Sequence, residues 1–376
     1  MYITFRSKFH EPEIQLTFEK FFDWFDKINT PRERSEKYFT TVTRIIEPNH
    51  VGTVKARYAH DLEKMQEKIH EFHTYLTQTE YWDSDKPYNS FTIPKHNGGV
   101  RRIDAPEEDF KGILREVKDL FEKHLKMLPH NNAFAYVPGR STLDALQIHQ
   151  RNNSKWFLKL DIKNFFNSTS PEWTYHQLTK LFPIQPLLDT CSEQIFHILQ
   201  YASLEGGFPQ GSPFSPYVTN LVMLPCDHEI KETLHNYNRQ HFKYTRYADD
   251  IIISSKYHFN WKEIQDIIAE IIHPYEIKKE KTRYGSSAGR NWNLGLMLNK
   301  DNEITIGHKR KERMKATIHN FLTSTDSWSR MDTQVLLGQI AYYSKVEPDW
   351  INATIQKYSQ KTNKDFHALT KEILKV

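Results

Sequence analysis

The segment Tyr244-Thr245-Arg246-Tyr247-Ala248-Asp249-Asp250-Ile251-Ile252-Ile253 constrains this chain more than any other. Two adjacent carboxylates stand inside a run of strand-forming, largely apolar residues. Neighbours on a strand point to opposite faces, so a charge inside such a run is costly unless something satisfies it. A tight turn between two strands resolves the conflict by holding both carboxylates at a hairpin tip. For the dipeptide alone, an ordinary solvated turn is the simpler reading. A second segment tips the balance. Trp156-Phe157-Leu158-Lys159-Leu160-Asp161-Ile162 reads as a buried strand that also ends in an acidic residue. If the two segments are neighbours in one sheet, Asp161, Asp249 and Asp250 converge. Three anions in one place repel, and hard divalent cations are the usual resolution. Two Mg²⁺ ions would serve an in-line phosphoryl transfer, one activating the attacking oxygen and one stabilising the leaving group.

The rest of the chain can support such a site. It has 376 residues, and its 38% hydrophobic content is enough for a packed core, which excludes wholesale disorder. The length points to two or three structural units. No run of 18 apolar residues occurs, so no transmembrane helix and no membrane partner are expected. The N-terminus lacks a signal-peptide pattern. The two cysteines, Cys191 and Cys226, give no disulfide framework and no CxxC metal site. A reducing, cytoplasmic setting is the expectation.

Residues 1–90 read as a mostly helical extension. Phe18, Phe21, Phe22, Phe25 and Ile28 form one helical stripe, and Tyr58, Leu62, Met65, Ile69, Phe72 and Leu76 a heptad-like seam suited to intramolecular packing. His70 and His73 share a face there and read as surface residues. From residue 91, Phe91–Lys95 and Val100–Ile103 flank His96-Asn97-Gly98-Gly99 as a hairpin. Helices are expected over about 110–128, 184–202 and 260–272, the last with an Asn260/Glu263 capping box. The mixture implies an α+β fold.

Charge is uneven. Residues 308–376 carry 12 Lys+Arg against 7 Asp+Glu, so this stretch is net +5 in a chain of formal charge +4. His308–Lys315 is densely basic and leads into the stripe Met314, Ile318, Phe321, Leu322. A helix with a basic face and an apolar underside suits a phosphate backbone.

Together these segments resemble bacterial reverse transcriptases, the group containing retron, group II intron and phage-defence enzymes. The matching blocks arrive in that family's order: Lys95 to Pro106, Asn132 to Ser141, Leu160 to Phe166, Pro209 to Pro216, Tyr244 to Asp250, Lys281-Thr282, and Asn293 to Leu296. Asp144–His149 and Trp292–Gly295 depart from retron signatures, which sets the chain nearest the stand-alone defence-associated or abortive-infection enzymes.

The resemblance implies a right-hand polymerase. A helical extension (1–90) would precede fingers and palm (91–307, antiparallel sheet plus helices) and a helical basic thumb (308–376). It implies an RNA-directed DNA polymerase, a nucleotidyltransferase that makes cDNA from dNTPs on a primed RNA, with a dedicated non-coding RNA and a role in antiphage defence. Template-independent or protein-primed DNA synthesis and a degenerate RNA-binding scaffold are the alternatives. Asp161, Asp249 and Asp250 would ligate two Mg²⁺ (Mn²⁺ as substitute), with the Ile162 carbonyl assisting. Phe166 falls at the position whose ring excludes a ribose 2′-hydroxyl. Gln210 and Gly211 fall where the incoming nucleotide is contacted, and Gly211 would let the backbone approach it. Lys95 and one of Arg101 and Arg102 would grip the triphosphate, and Lys281 would donate a proton to pyrophosphate. Tyr247 would touch the primer end, Leu294-Gly295-Leu296 would form a primer grip, and Gly139-Arg140-Ser141 a template-contacting loop. Leu336–Tyr343 resembles a thumb's turn-to-helix. A homo-oligomer or a partner defence protein is a further expectation.

Overall fold

The computed structural model of the chain describes residues 2–5, 14–17, 51–83, 85–94, 98–125, 127–181, 185–237, 241–287, 291–293, 295–299 and 301–375. Tyr2–Phe5 (β1) and Ile14–Thr17 (β2) pair antiparallel, Tyr2 opposite Thr17. A helical N-terminus was expected there. Tyr-Ile-Thr-Phe and Ile-Gln-Leu-Thr are rich in β-branched and aromatic residues, which favour strand. The stripe Phe18–Ile28 lies outside the described residues.

Helix α1 (Val51–Thr77) follows, then strands β3 (Tyr88–Pro94) and β4 (Val100–Pro106). Helix α2 (Glu108–Asp119) continues into one π-helical turn, Leu120–His124. Helix α3 (Thr142–Arg151) is started by a capping box between Ser141 and Asp144 and leads to strand β5 (Trp156–Asp161). Helices α4 (Pro171–Leu178), α5 (Gln185–Tyr201) and α6 (Ser215–Asn236) come next, then strands β6 (Lys243–Tyr247) and β7 (Asp250–Ser255). Helix α7 (Trp261–Ile271) is capped by the Asn260 side chain, which accepts from Glu263 N. The Glu263 carboxylate takes its bond from Asn260 Nδ2 at 3.2 Å. Four short strands close this part: β8 (Arg283–Ser286), β9 (Asn291–Asn293), β10 (Leu296–Leu298) and β11 (Ile304–Thr305). Helices α8 (His308–Thr323), α9 (Arg330–Val346), α10 (Pro348–Thr362) and α11 (Phe366–Lys375) end the chain. No helix among the described residues is long and apolar enough to cross a membrane, and both cysteines are free and buried.

One sheet has the order β6-β7-β5-β8, and β3 with β4 forms a separate antiparallel hairpin. This places β5 beside β7, as convergence of the three aspartates requires. The chain divides into two compact units. One comprises Met1–Arg140, Leu160–Ile251 and Asn260–Thr282; the other comprises Ser141–Lys159, Ile252–Phe259 and Arg283–Val376.

In the first unit α1 packs along α5, with Ile69 and Leu76 of its seam fully buried. This is the intramolecular use expected of the seam. His73 is half-buried rather than fully exposed: its ring stacks on His197 (centroids 5.4 Å) and its Nε2 lies 3.2 Å from His197 Nδ1. Burial, together with the neighbouring imidazole, lowers the His73 pKa. His70 is exposed.

The second unit has two cores. Leu146, Phe157, Ile252, Leu296, Leu298 and Ile306 form one. The stripe read from the basic tail forms the other: Met314, Ile318, Phe321 and Leu322 are buried against Leu336, Ile351, Ile355 and Phe366. Leu336–Tyr343 lies wholly inside α9 and is not a turn-to-helix. Ser329 caps this helix by accepting from Asp332 N at 3.1 Å, and one interior glycine, Gly338, costs only about 1 kcal/mol. Because Ile318 has no exposed surface, Ile318→Ala should lower the unfolding free energy by about 2–5 kcal/mol, read by urea denaturation.

Candidate active site

All the residues at issue here belong to the first unit unless stated. Strand β5 ends at Asp161. The two-residue turn Ala248-Asp249 joins β6 to β7, whose first residue is Asp250. Ile162 N donates to Asp249 O at 2.9 Å, which fixes the strand end against the turn. The three carboxylates share one electrostatic environment. Burial, then the charges of Asp250 and Asp161, raise Asp249 above the ordinary carboxylate range.

Two lysines answer that charge. Lys278 Nζ lies 2.6 Å from Asp161 Oδ1 and donates to Ile162 O at 3.3 Å; Lys281 Nζ lies 2.9 Å from Asp161 Oδ2. Lys278 is brought there by its own amide, which donates to Asp161 O at 2.8 Å. Burial works against the Lys281 ammonium, but its bond to Asp161 and the charges of Asp161 and Asp249 hold its pKa above the usual lysine range. Lys281 was expected at the site from sequence; Lys278 was not, and the pattern Lys278-Lys279-Glu280-Lys281 gave no sign of which lysine turns inward.

The donor set of three carboxylates and a carbonyl oxygen is the chemistry a hard divalent cation takes. Among the described residues, however, no three His, Cys, Asp or Glu side chains stand ready as a metal cage. Asp161 is turned onto its two lysines instead.

Beneath the turn lies a buried ion pair. Arg246 and Asp227 have no exposed side-chain surface; Arg246 Nε and Nη2 donate to the two Asp227 oxygens at 2.8 and 2.7 Å. Arg246 Nη1 donates to Asn220 Oδ1 at 3.0 Å and to Ala248 O at 3.2 Å. Asn220 Nδ2 in turn donates to Ala135 O at 2.8 Å. The carbonyl preceding Asp249 is therefore held from below by a charge. In sequence Arg246 looks like any strand cation.

Phe166 is half-buried, its ring 5.6 Å from Phe165 and 6.1 Å from Tyr136, both edge-on. Phe166 O accepts from Phe208 N at 3.2 Å, tying it to the loop that carries Gln210 and Gly211. Gln210 O accepts from Asp104 N at 2.8 Å. Gly211 has φ +128°, and a Cβ there would lie 2.5 Å from Asp104 O. The close approach that requires glycine is thus to strand β4.

The register of β3–β4 separates the two arginines, since adjacent strand residues face opposite ways. Arg102 shares a face with Asp104. It donates to Asp104 Oδ1 at 2.7 Å and, bidentate, to Glu205 at 2.9 and 3.0 Å. Arg101 lies on the other face, within electrostatic reach of Tyr136, which itself senses Asp249 and Tyr247. Lys95 lies outside the described residues.

Other expected contacts are engaged within the protein. Arg140 Nη1 donates to His130 O and Ala133 O at 2.6 and 2.8 Å, closing its own loop. In the second unit, Ser141 caps α3. There too, Gly295 has φ +103°, and a Cβ would fall 1.5 Å from Arg310 Nη1, so only glycine seats this guanidinium; Leu294 lies outside the described residues.

Carboxylates stand at adjoining strand ends of a sheet whose β5 runs antiparallel to β8, in one unit with an aromatic and a cationic hairpin, as a right-hand polymerase fold requires. The family model described as reverse transcriptase (RNA-dependent DNA polymerase) matches residues 93–322, and the chain belongs to that family. Retron Ec83 reverse transcriptase of Escherichia coli is 28% identical over 291 residues, covering 74% of this chain and 88% of that protein. Retron Ec73 reverse transcriptase, also of E. coli, is 28% identical over 290 residues, covering 75% and 90%. Among solved structures, telomerase from Candida albicans with a fragment of telomeric RNA aligns with TM-score 0.44 and 12% identity, over 79% of this chain and 65% of that one. The chain is an RNA-directed DNA polymerase with a right-hand fold and retron-type relatives, despite its departures at Asp144–His149 and Trp292–Gly295.

The ion pair under the turn sets a stability prediction. Arg246→Met leaves the Asp227 charge buried and alone and should cost about 3–5 kcal/mol in chemical denaturation. Adding Asp227→Leu should recover much of the loss.

Proposed function

We propose that this reverse transcriptase makes cDNA by two-metal nucleotidyl transfer on a primed, dedicated non-coding RNA, in antiphage defence. The observation that carries the mechanism is the shared environment of Asp161, Asp249 and Asp250 at adjoining strand ends, with Phe166 in the same unit. The three carboxylates and the Ile162 carbonyl oxygen are the residues that would hold Mg²⁺, or Mn²⁺ in its place. When bound, the two cations supply activation of the attacking 3′-oxygen and stabilisation of the leaving pyrophosphate.

The chain's own groups do the rest. Phe166 fills the volume a ribose 2′-hydroxyl needs, so dNTPs are admitted and NTPs refused. Arg101, with Lys95, grips the triphosphate, while Arg102 holds the hairpin to Glu205 and Asp104. Gln210 contacts the incoming nucleotide and Tyr247 the primer end. Lys281, kept charged by Asp161, donates a proton to the pyrophosphate. Residues from 308 onward hold the template–primer duplex by its backbone, which takes cations rather than base readers. The retron reverse transcriptases among the chain's relatives support RNA-templated synthesis of cDNA.

Four outcomes are expected. Asp249→Asn should abolish dNTP incorporation on a primed RNA template, yet the metal-free variant should melt no lower than wild type, because a repelled charge has been removed. Retained incorporation would contradict the mechanism. Arg101→Ala should raise KM for dNTP about tenfold or more, since a charge-assisted phosphate contact is lost, with little change in Tm. Arg102→Ala should instead lower Tm with a smaller effect on KM. Sequencing the nucleic acids that copurify with the protein should return one RNA and its complementary DNA; a product unrelated to any copurifying RNA would overturn the templated reading.

A further inference from the structure

Tyr136 combines three features that a surface loop residue does not need. Its backbone sits at φ +59°, a left-handed conformation that is uncommon and costly for a bulky aromatic. Its side chain is large, yet the residue is 53% exposed. Its position is nevertheless tightly fixed. Phe134 N donates to Arg246 O at 2.8 Å, Ala135 O accepts from Asn220 at 2.8 Å, and Arg140 N donates to Val137 O at 3.1 Å. The network that holds the catalytic turn therefore also holds Tyr136. Backbone strain retained by well-determined surroundings is found at functional sites more often than elsewhere.

The ring has one aromatic neighbour of consequence. It meets Phe166 edge-on, centroids 6.1 Å apart at 64°. Phe166 also meets Phe165, centroids 5.6 Å apart, which is 3% exposed and part of the core. Phe166 thus has one ring contact to the core and one to the exposed Tyr136. A volume-exclusion gate discriminates only if its ring cannot swing to another rotamer, and ring contacts are what restrict it.

We infer that Tyr136 is a positioning residue for sugar selection, its ring being the outer wall that keeps Phe166 in the orientation that rejects a 2′-hydroxyl. The inference rests on the reading of Phe166 as that gate. The phenol's surroundings agree with this placement, since the charges of Asp249, Tyr247 and Arg101 all reach it.

The test is the ratio of kcat/KM for a dNTP to that for the matching NTP on one primed RNA template. Tyr136→Ala should cut the ratio about tenfold, the size of effect that contacting residues show in coupled pairs. Tyr136→Phe should keep it, because the ring and not the hydroxyl forms the wall. Phe166→Ala should lose most of the discrimination, and Phe166→Ala/Tyr136→Ala should lose no more than Phe166→Ala alone. Tyr136→Gly controls for folding, since glycine accepts φ +59° without strain. Its Tm should match or exceed wild type while its discrimination falls like that of Tyr136→Ala. If Phe166→Ala relaxes selection but Tyr136→Ala and Tyr136→Gly do not, the role given to Tyr136 is wrong and the gate stands. If Phe166→Ala leaves selection intact, the gate reading fails and this inference fails with it.

Discussion

The geometry of the active site depends on a charge pair that substrate need never touch. Arg246 and Asp227 are sealed from solvent, and an ionised guanidinium survives there only with its donors satisfied. The bidentate carboxylate, the Asn220 amide oxygen and the Ala248 carbonyl meet that demand together. These acceptors come from helix α6 and from the turn after β6, so helix, strand and turn must assemble in one arrangement or leave a charge unpaired. Ala248 is a non-glycine residue at φ +54°, and the bond at its carbonyl helps hold that strained residue where Asp249 must follow. Through Asn220 the same network fixes the loop bearing Tyr136. A hydrophobic core of equal volume would be at least as stable, so the value of the ion pair lies in specifying one conformation at the turn.

The carboxylates above this pair pose the opposite problem, negative charge in excess. Lys278 and Lys281 both bind Asp161, one to each oxygen. The two ammonium groups offset part of the negative charge gathered at the strand ends. On the proposed mechanism a divalent cation would compete with ammonium groups for Asp161, whereas Asp249, repelled by both neighbours, would gain from a cation that approaches. The two lysines differ in position: Lys278 is 21% exposed and also bound to Ile162 O, while Lys281 is 53% exposed, and on the proposed mechanism that exposure would let Lys281 move toward a leaving group.

The sequence revealed those parts of the site whose residues conflict with their surroundings. Aspartates ending apolar runs, a basic tail over an apolar stripe, and a polar hairpin were all legible, because each breaks or obeys a periodicity. Residues whose role depends on where a loop turns were not. Tyr136 reads as one aromatic among nineteen tyrosines, since nothing in a sequence shows that a non-glycine residue adopts positive φ. Arg246 reads as a strand cation because burial of a charge follows from its partners, and Asp227 lies nineteen residues away on a helix. Arg140 and Ser141 matched a nucleic-acid-contacting loop, yet the first bonds its own loop's carbonyls and the second caps a helix. The arginine ambiguity on β4 is resolved by pleat: once Asp104 is buried on one face, Arg102 belongs to it and Arg101 to the other.

The same distinction changes how the basic tail is counted. Lys311 pairs with Glu347 and lies 5.2 Å from the Trp350 ring centroid. Glu347 also accepts from Ile306 N and Thr305 Oγ1, so this lysine fastens β11 and α8 to the start of α10. Arg310 sits against Gly295, and Lys315 pairs with Glu312 at 2.8 Å. Lys309 and Arg313 are exposed on the same helix. A net charge of +5 therefore overstates the phosphate-binding capacity of residues 308–376, because part of it is internal structure. Each cation already paired inside the protein must give up that partner before it can displace a counterion from a duplex. If residues 308–376 hold a template–primer duplex as proposed, its salt dependence would be shallower than the lysine and arginine count implies, and the exposed cations of α8, rather than the whole run, would carry the electrostatic hold.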